Sequence, residues 1–109
     1  MSGGTVYILT NRKRGALYTG VTADIAARMM QHKTGKGSKF CREYGIDKLV
    51  YLETTERIED AIAREKAIKK WRRAWKIELI EKASSGWRDY GRRLFSAGFP
   101  VFEGLFSAS

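Results

Sequence analysis

Cysteine, histidine, proline and acidic side chains are all scarce in this sequence, and each shortage excludes something. The one cysteine, Cys41, rules out an internal disulfide and fits a reducing compartment. One cysteine with one histidine leaves no credible zinc site. A single proline beside a hydrophobic share of 43% argues for a folded globule rather than a disordered tail. No apolar run approaches the length of a membrane span, and the N-terminus lacks the apolar core of a signal peptide, so the cytoplasm is the expected compartment. The 109 residues suit one domain able to bury a modest core without staples. Acids are outnumbered twelve to twenty-one by Lys and Arg, a net charge of +9. That balance favours a polyanionic partner, nucleic acid first and an anionic membrane surface second. The membrane reading is weakened by the lack of a basic amphipathic helix ending in a lipid anchor.

The chain is organised around its start. Thr5 to Thr10 is rich in β-branched and aromatic side chains and predicts a strand. A polar loop from Asn11 to Gly15 follows, and Ala16 to Val21 reads as the return strand of a hairpin. Tyr7 and Tyr18 stand one on each strand. Taken alone, each is an ordinary strand aromatic that packs its ring and wets its hydroxyl. They face the same side of the sheet only if the register pairs odd with even positions, or if a bulge intervenes.

Thr22 and Asp24 predict a helix start, a hydroxyl at the N-cap and an acid in the first turn, running to about Lys33 and stopping at Gly35. Ile25, Arg28, Met29 and His32 share one helical face that is half apolar and half cationic, unlike a purely structural stripe. Ser38 is placed to cap a short second helix from Lys39 to Tyr44, ended by Gly45. Lys36, Lys39 and Arg42 are either a solvated surface or an edge that tracks phosphates, two readings left level.

Lys48 to Glu53 is the third strand candidate. A long helical region from about Arg57 to Ala83 follows, with Ile58, Ala61, Ile62 and Ile68 on one face of its first half. Glu65 interrupts that stripe, and a core-facing carboxylate is costly without a partner. It is either a salt-bridged structural residue or one that holds a metal ion or a reacting group. Beyond Lys70 the apolar set shifts to Trp71, Trp75 and Leu79, which predicts a break near Lys69 to Trp71. Lys69, Lys70, Arg72, Arg73 and Lys76 form a basic surface interleaved with the two tryptophans, which are read as core anchors before base-stacking platforms. The aromatic-rich end from Gly86 has no clean period.

Tyr7, Tyr18, Arg28, His32 and Glu65 are the polar residues that sit oddly, and together they carry a resemblance. The sequence resembles the small, single-domain bacterial branch of the GIY-YIG nucleases from about Gly4 to Tyr90, through TVY, YTG, the Arg28–His32 helix, GKGSKF, LVYLE, AREKAIKKWRRAWKIELI and WRDY. The resemblance implies an α+β fold, a small three-stranded antiparallel sheet flanked by helices. It implies a nuclease domain over residues 1–86, with 87–109 an extension that packs back or is partly disordered. It implies a DNA endonuclease in which Tyr7 is general base, Tyr18 orients water or phosphate, Arg28 lowers the Tyr7 pKa and grips the scissile phosphate, and His32 takes or relays the Tyr7 proton. Glu65 would hold one divalent ion, Mg²⁺ with Mn²⁺ as a substitute, which needs few protein ligands. Lys36, Lys39, Arg42, Lys69, Lys70 and Arg73 are the candidate nucleic-acid contacts, on single-stranded or structured DNA, with RNA also open. Two departures stand out. The first motif keeps only its tyrosine, and Ser84-Ser85 replaces the branch's usual Asn-Pro before WRDY. The alternative is a nucleic-acid-binding module that cuts little or not at all, or one that needs a partner to target it.

Overall fold

Strand β1 (Gly4–Thr10) is buried at every position. It is central in a three-stranded antiparallel sheet of order β2-β1-β3, with β2 at Leu17–Thr22 and β3 at Lys48–Thr55. The computed structural model describes residues 3–35 and 37–91; Lys36 and the stretch from 92 to 109 lie outside them. Helices α1 (Ile25–Lys33) and α2 (Lys39–Tyr44) follow the hairpin, and α3 (Ile58–Lys70) and α4 (Arg73–Ala83) follow β3. The α+β architecture expected from the sequence is the one observed.

Because β1 presents alternate side chains to opposite faces, two apolar cores form on either side of it. Val6 and Ile8 pack with Val50, Ala61, Ile68, Ile80 and Trp87 beneath α3 and α4. Tyr7 and Leu9 pack with Met29, Cys41, Ile46 and Leu49 beneath α1 and α2. A bulge serves both cores: Ile8 pairs with Tyr51 and Leu9 with Leu49, so Val50 joins its neighbour Tyr51 in the α3–α4 core while Leu49 faces the other.

The helix limits follow their local chemistry, with corrections. Asp24, not Thr22, is the N-cap of α1, its carboxylate accepting from Ala27 N at 3.1 Å. Thr22 belongs to β2, and its hydroxyl accepts from Asp24 N instead. Ser38 occupies the cap position of α2 without a side-chain capping bond. The long helical region breaks at Trp71 and Arg72 as its apolar phase shift predicts. Ile62 is exposed, so the packed stripe of α3 is Ile58, Ala61, Glu65 and Ile68. Trp71 is half-buried against the core, but Trp75 is 49% exposed and stands edge-on to Trp71 rather than in the core.

The start of the aromatic-rich end is part of the folded unit. Trp87 is buried in the α3–α4 core and donates its indole N–H to Glu81 Oε2 at 2.8 Å. Asp89 Oδ1 accepts from Leu49 N at 3.0 Å, and Tyr90 N donates to Leu49 O at 2.7 Å. These bonds occupy the outer edge of β3 beside the bulge, where an open strand edge would otherwise invite another chain.

Candidate active site

The hairpin register decides whether the two tyrosines meet. Tyr7 pairs with Gly20 and Leu9 with Tyr18, so odd positions on β1 oppose even ones on β2. Tyr18 therefore shares the face of Tyr7 and Leu9, the face covered by α1 and α2. The ring centroids of Tyr7 and Tyr18 lie 6.4 Å apart, and His32 stands edge-on to both at 6.3 and 6.0 Å. Arg28, one turn before His32 on α1, donates from Nη1 to Tyr7 Oη at 3.1 Å. Four of the five singled-out polar residues converge.

Two glycines make room for this cluster. A methyl group built on Gly20 would stand 2.5 Å from Tyr7 Oη and 2.6 Å from Cζ, so the Tyr7 ring lies directly over that backbone. One built on Gly37 would stand 2.6 Å from His32 Nδ1. The turn into α2 thus lies against the histidine. Gly20 stands alone inside a strand pattern, which is itself a sequence signal of close approach.

Arg28 acts on Tyr7 in the expected direction, but burial outweighs it. No part of Tyr7 is exposed, and burial pushes its phenol above the ordinary 10.0, although the Arg28 charge and hydrogen bond pull the other way. Desolvation wins, and Tyr7 stays a neutral phenol at neutral pH. His32 is lowered from its ordinary 6.5, first by burial and then by the Arg28 charge, with Asp47 opposing. Both of its ring nitrogens are buried without a hydrogen-bond partner among the described residues. A neutral imidazole with an unengaged lone pair is a proton acceptor in waiting.

This carries a prediction with a definite sign. If the neutral form of His32 accepts a proton in the rate-determining step, activity is full at neutral pH and falls only as pH drops below 6.5, through the lowered value. His32→Gln should lower the rate about a hundredfold and abolish the acid limb. Stability follows the same window. The unfolded chain takes up the proton more readily, so stability is present above 6.5 and is lost as pH falls toward the folded value. Denaturant titrations of wild type and His32→Gln across that range measure the second effect separately from the first.

Glu65 makes no hydrogen bond or ion pair to the four among the described residues. It lies on α3, in the helical layer on the other face of the sheet, buried at 7% exposure. Its partner is Lys69, whose Nζ is 2.6 Å from Oε2 and whose side chain is half-exposed. The salt-bridged alternative is thus the arrangement present. As for a metal, no group of three or more His, Cys, Asp or Glu is gathered among the described residues. One buried carboxylate balanced by a displaceable ammonium fits an ion that keeps most of its waters, as Mg²⁺ does, and fits no ion that requires a protein cage.

The cations expected to contact nucleic acid divide between the two layers. Lys39 and Arg42 are on α2, beside the tyrosine face, and Arg42 Nη1 donates to Gly35 O at 3.2 Å and Gly37 O at 3.1 Å. Lys69, Lys70 and Arg73 lie at the junction of α3 and α4. Arg73 Nη2 donates to Arg14 O at 2.6 Å and Gly15 O at 2.7 Å, tying α4 to the hairpin loop. Two of the arginines therefore hold backbone.

The sheet order, the flanking helices and the paired strand tyrosines define a GIY-YIG fold. The family model of the GIY-YIG catalytic domain matches residues 3–78, and the chain belongs to that family, a family of nucleases. A UPF0213 protein of Syntrophus aciditrophicus is 40% identical over 83 residues, covering 75% of this chain and 94% of that protein. A UPF0213 protein of Clostridium perfringens is 39% identical over 89 residues, 82% of this chain and 95% of that protein. The solution NMR structure of a UPF0213 protein from Bacillus halodurans superposes with a TM-score of 0.52 at 31% identity, over 83% of this chain and 95% of the other. No helix among the described residues is long and apolar enough to cross a membrane.

Proposed function

We propose that this protein is a metal-dependent endonuclease that hydrolyses phosphodiester bonds, with single-stranded or structured DNA as its first substrate class. The observation that carries the reading is Arg28 bonded to Tyr7 Oη with the Tyr18 and His32 rings around it, on one sheet face. Hydrolysis needs an activated water, neutralisation of charge on the non-bridging oxygens, and help for the leaving oxygen. Arg28 uses one N–H on Tyr7 and has others in the same planar fork for phosphate oxygens. Since Tyr7 is a neutral phenol, it acts as a relay rather than a standing base. As the water oxygen bonds to phosphorus, its proton passes to Tyr7 Oη, and the phenol proton passes on through a bridging water to neutral His32, whose ring nitrogens make no direct hydrogen bond to the phenol. The bond to the leaving oxygen breaks in the same displacement. Tyr18 orients the water or the phosphate. Glu65 is the residue that would hold a divalent ion, which when bound would supply positive charge to phosphate oxygens.

A second reading, a nucleic-acid-binding module with little cleavage, has in its favour the sealed Tyr7 and the Lys69–Glu65 pair. One assay separates the two. Labelled single-stranded, duplex, flapped and branched DNA, with RNA alongside, are incubated with the protein in Mg²⁺, Mn²⁺ or EDTA. The nuclease reading expects cutting that EDTA stops, that Glu65→Gln slows about a hundredfold and that Tyr7→Phe also slows. Binding without cutting on every substrate, in either metal, moves the binding module ahead.

A further inference from the structure

Two aromatic rings next to the tyrosine face are left at the surface. Phe40 is 44% exposed and Tyr44 55%, one turn apart on α2, with ring centroids 4.9 Å apart. Nothing in their packing requires them, because the apolar side of α2 is Cys41, buried in the same cluster as Tyr7 and Leu9. The backbone beneath the rings is nevertheless held firmly. Asn11 Nδ2 donates to Tyr44 O at 3.2 Å, and Arg42 closes the turn before the helix through Gly35 O and Gly37 O. That turn lies against His32 through Gly37. The helix that carries the pair thus adjoins the candidate site, through Gly37 against His32 and Cys41 in the cluster with Tyr7.

We propose that Phe40 and Tyr44 form a stacking platform for an unpaired base of the strand whose phosphate is held at Arg28. The proposal rests on the nuclease reading and names which part of the substrate that site would grip. A base offers a flat π-face that stacks on aromatic rings whatever its identity, whereas bases within a duplex have both faces covered by their neighbours. Lys39 on the same helix is exposed, so a cation for a flanking phosphate accompanies the rings, on a chain of net charge +9. Trp75 is the rival platform and is less suited. Arg72 already stands over its ring at 4.8 Å, and it belongs to the α3–α4 layer, across the sheet from Tyr7.

The test uses the full chain, with EDTA present to prevent cleavage. Binding is read by fluorescence anisotropy on a labelled single-stranded oligonucleotide, its RNA equivalent and a blunt hairpin duplex. Phe40→Ala/Tyr44→Ala should weaken single-strand binding by about tenfold or more and leave the duplex unchanged. Its salt dependence should keep the wild-type slope, whereas Lys39→Ala should reduce the slope by about one phosphate contact. An abasic position walked along the strand should weaken binding at one place in wild type and at none in the double variant. Phe40→Trp should retain binding. Both rings are exposed, so the fold survives, and far-UV circular dichroism checks it. A double variant within about twofold of wild type on single strands overturns the platform. So does an equal loss on single strand and duplex. If such a variant still accompanies a wild type that binds and cuts, the platform alone fails; a wild type that binds no nucleic acid removes the nuclease reading as well.

Discussion

Replacing Arg28 with alanine is expected to lower the cleavage rate about a thousandfold while the protein stays folded, which is the scale seen when one aimed donor to a developing oxyanion is removed. The side chain is only half-buried, so no large cavity forms, and the stability loss should be near the ~1 kcal/mol of its hydrogen bond to Tyr7. Arg28→Lys keeps the charge and discards the planar fork; it should recover about a tenth of the wild-type rate, not all of it. A second readout tests whether Arg28 also acts on its neighbour. Its charge is one of the two causes that lower His32, so in Arg28→Ala the acid limb should move to higher pH. Single-turnover rates across pH measure both. A rate within about threefold of wild type would show that Arg28 does not hold the scissile phosphate.

Gly20→Ala is the sharper structural test, because two effects of opposite sign compete at one atom. On backbone grounds alone, alanine in a strand should stabilise by about 0.5–1 kcal/mol over glycine. Here the added methyl would stand 2.5 Å from Tyr7 Oη and 2.6 Å from Cζ. The obstacle is a ring with no exposure, held by Arg28, so it cannot simply swing away. Either Tyr7 leaves its rotamer or β1 and β2 separate. Overpacking of this kind costs about 2–3 kcal/mol, which reverses the sign of the backbone gain. Because Tyr7 is displaced from Arg28, the cleavage rate should fall below about 1% of wild type. Adding Tyr7→Phe relieves the contact at Oη and leaves the one at Cζ, so it should restore part of the stability and none of the activity. A midpoint in urea equal to wild type for Gly20→Ala would mean that Tyr7 does not lie across the β2 backbone.

His32 and Tyr7 show how one environment can set two roles apart. Burial acts on both, and it disfavours whichever form carries charge. For the phenol that means retaining its proton; for the imidazole it means releasing one. In the relay proposed above, a neutral donor on the sheet and a neutral acceptor on α1 would work without any standing ion in the resting protein.

Much of the fold was legible in the residues themselves. The β-branched runs at Thr5–Thr10 and Lys48–Glu53, the glycine stops after α1 and α2, and the phase shift at Trp71 all reflect backbone preferences that neighbouring residues impose. Arg28 and His32 on the face of Met29 followed from helical spacing alone. Cap assignments were less secure, as Thr22 and Asp24 show, because both side chains can bond nearby backbone N–H groups and only the strand's end decides between them.

Whether a side chain was free for function was not legible. Arg42 and Arg73 read as surface cations, yet both donate to carbonyls that come from other segments. Trp87 begins a stretch read as packing back or partly disordered, and it packs into the core, while Trp75 read as core and proved exposed. Arg42 bonds the turn just before its own helix, whereas the other outcomes depend on which distant surfaces meet.

By itself, then, the sequence determined the elements, their order, the excess of positive charge and the residue types at the site. Periodicity and propensity are local, and they need no tertiary contact to be expressed. Only the tertiary structure decided the hairpin register that places Tyr7 and Tyr18 on one face, the burial that keeps Tyr7 protonated and His32 neutral, and the position of Glu65 beside Lys69 in the opposite layer. Register, desolvation and pairing are properties of surfaces brought together across the chain, and a free energy of contact exists only once both surfaces are in place.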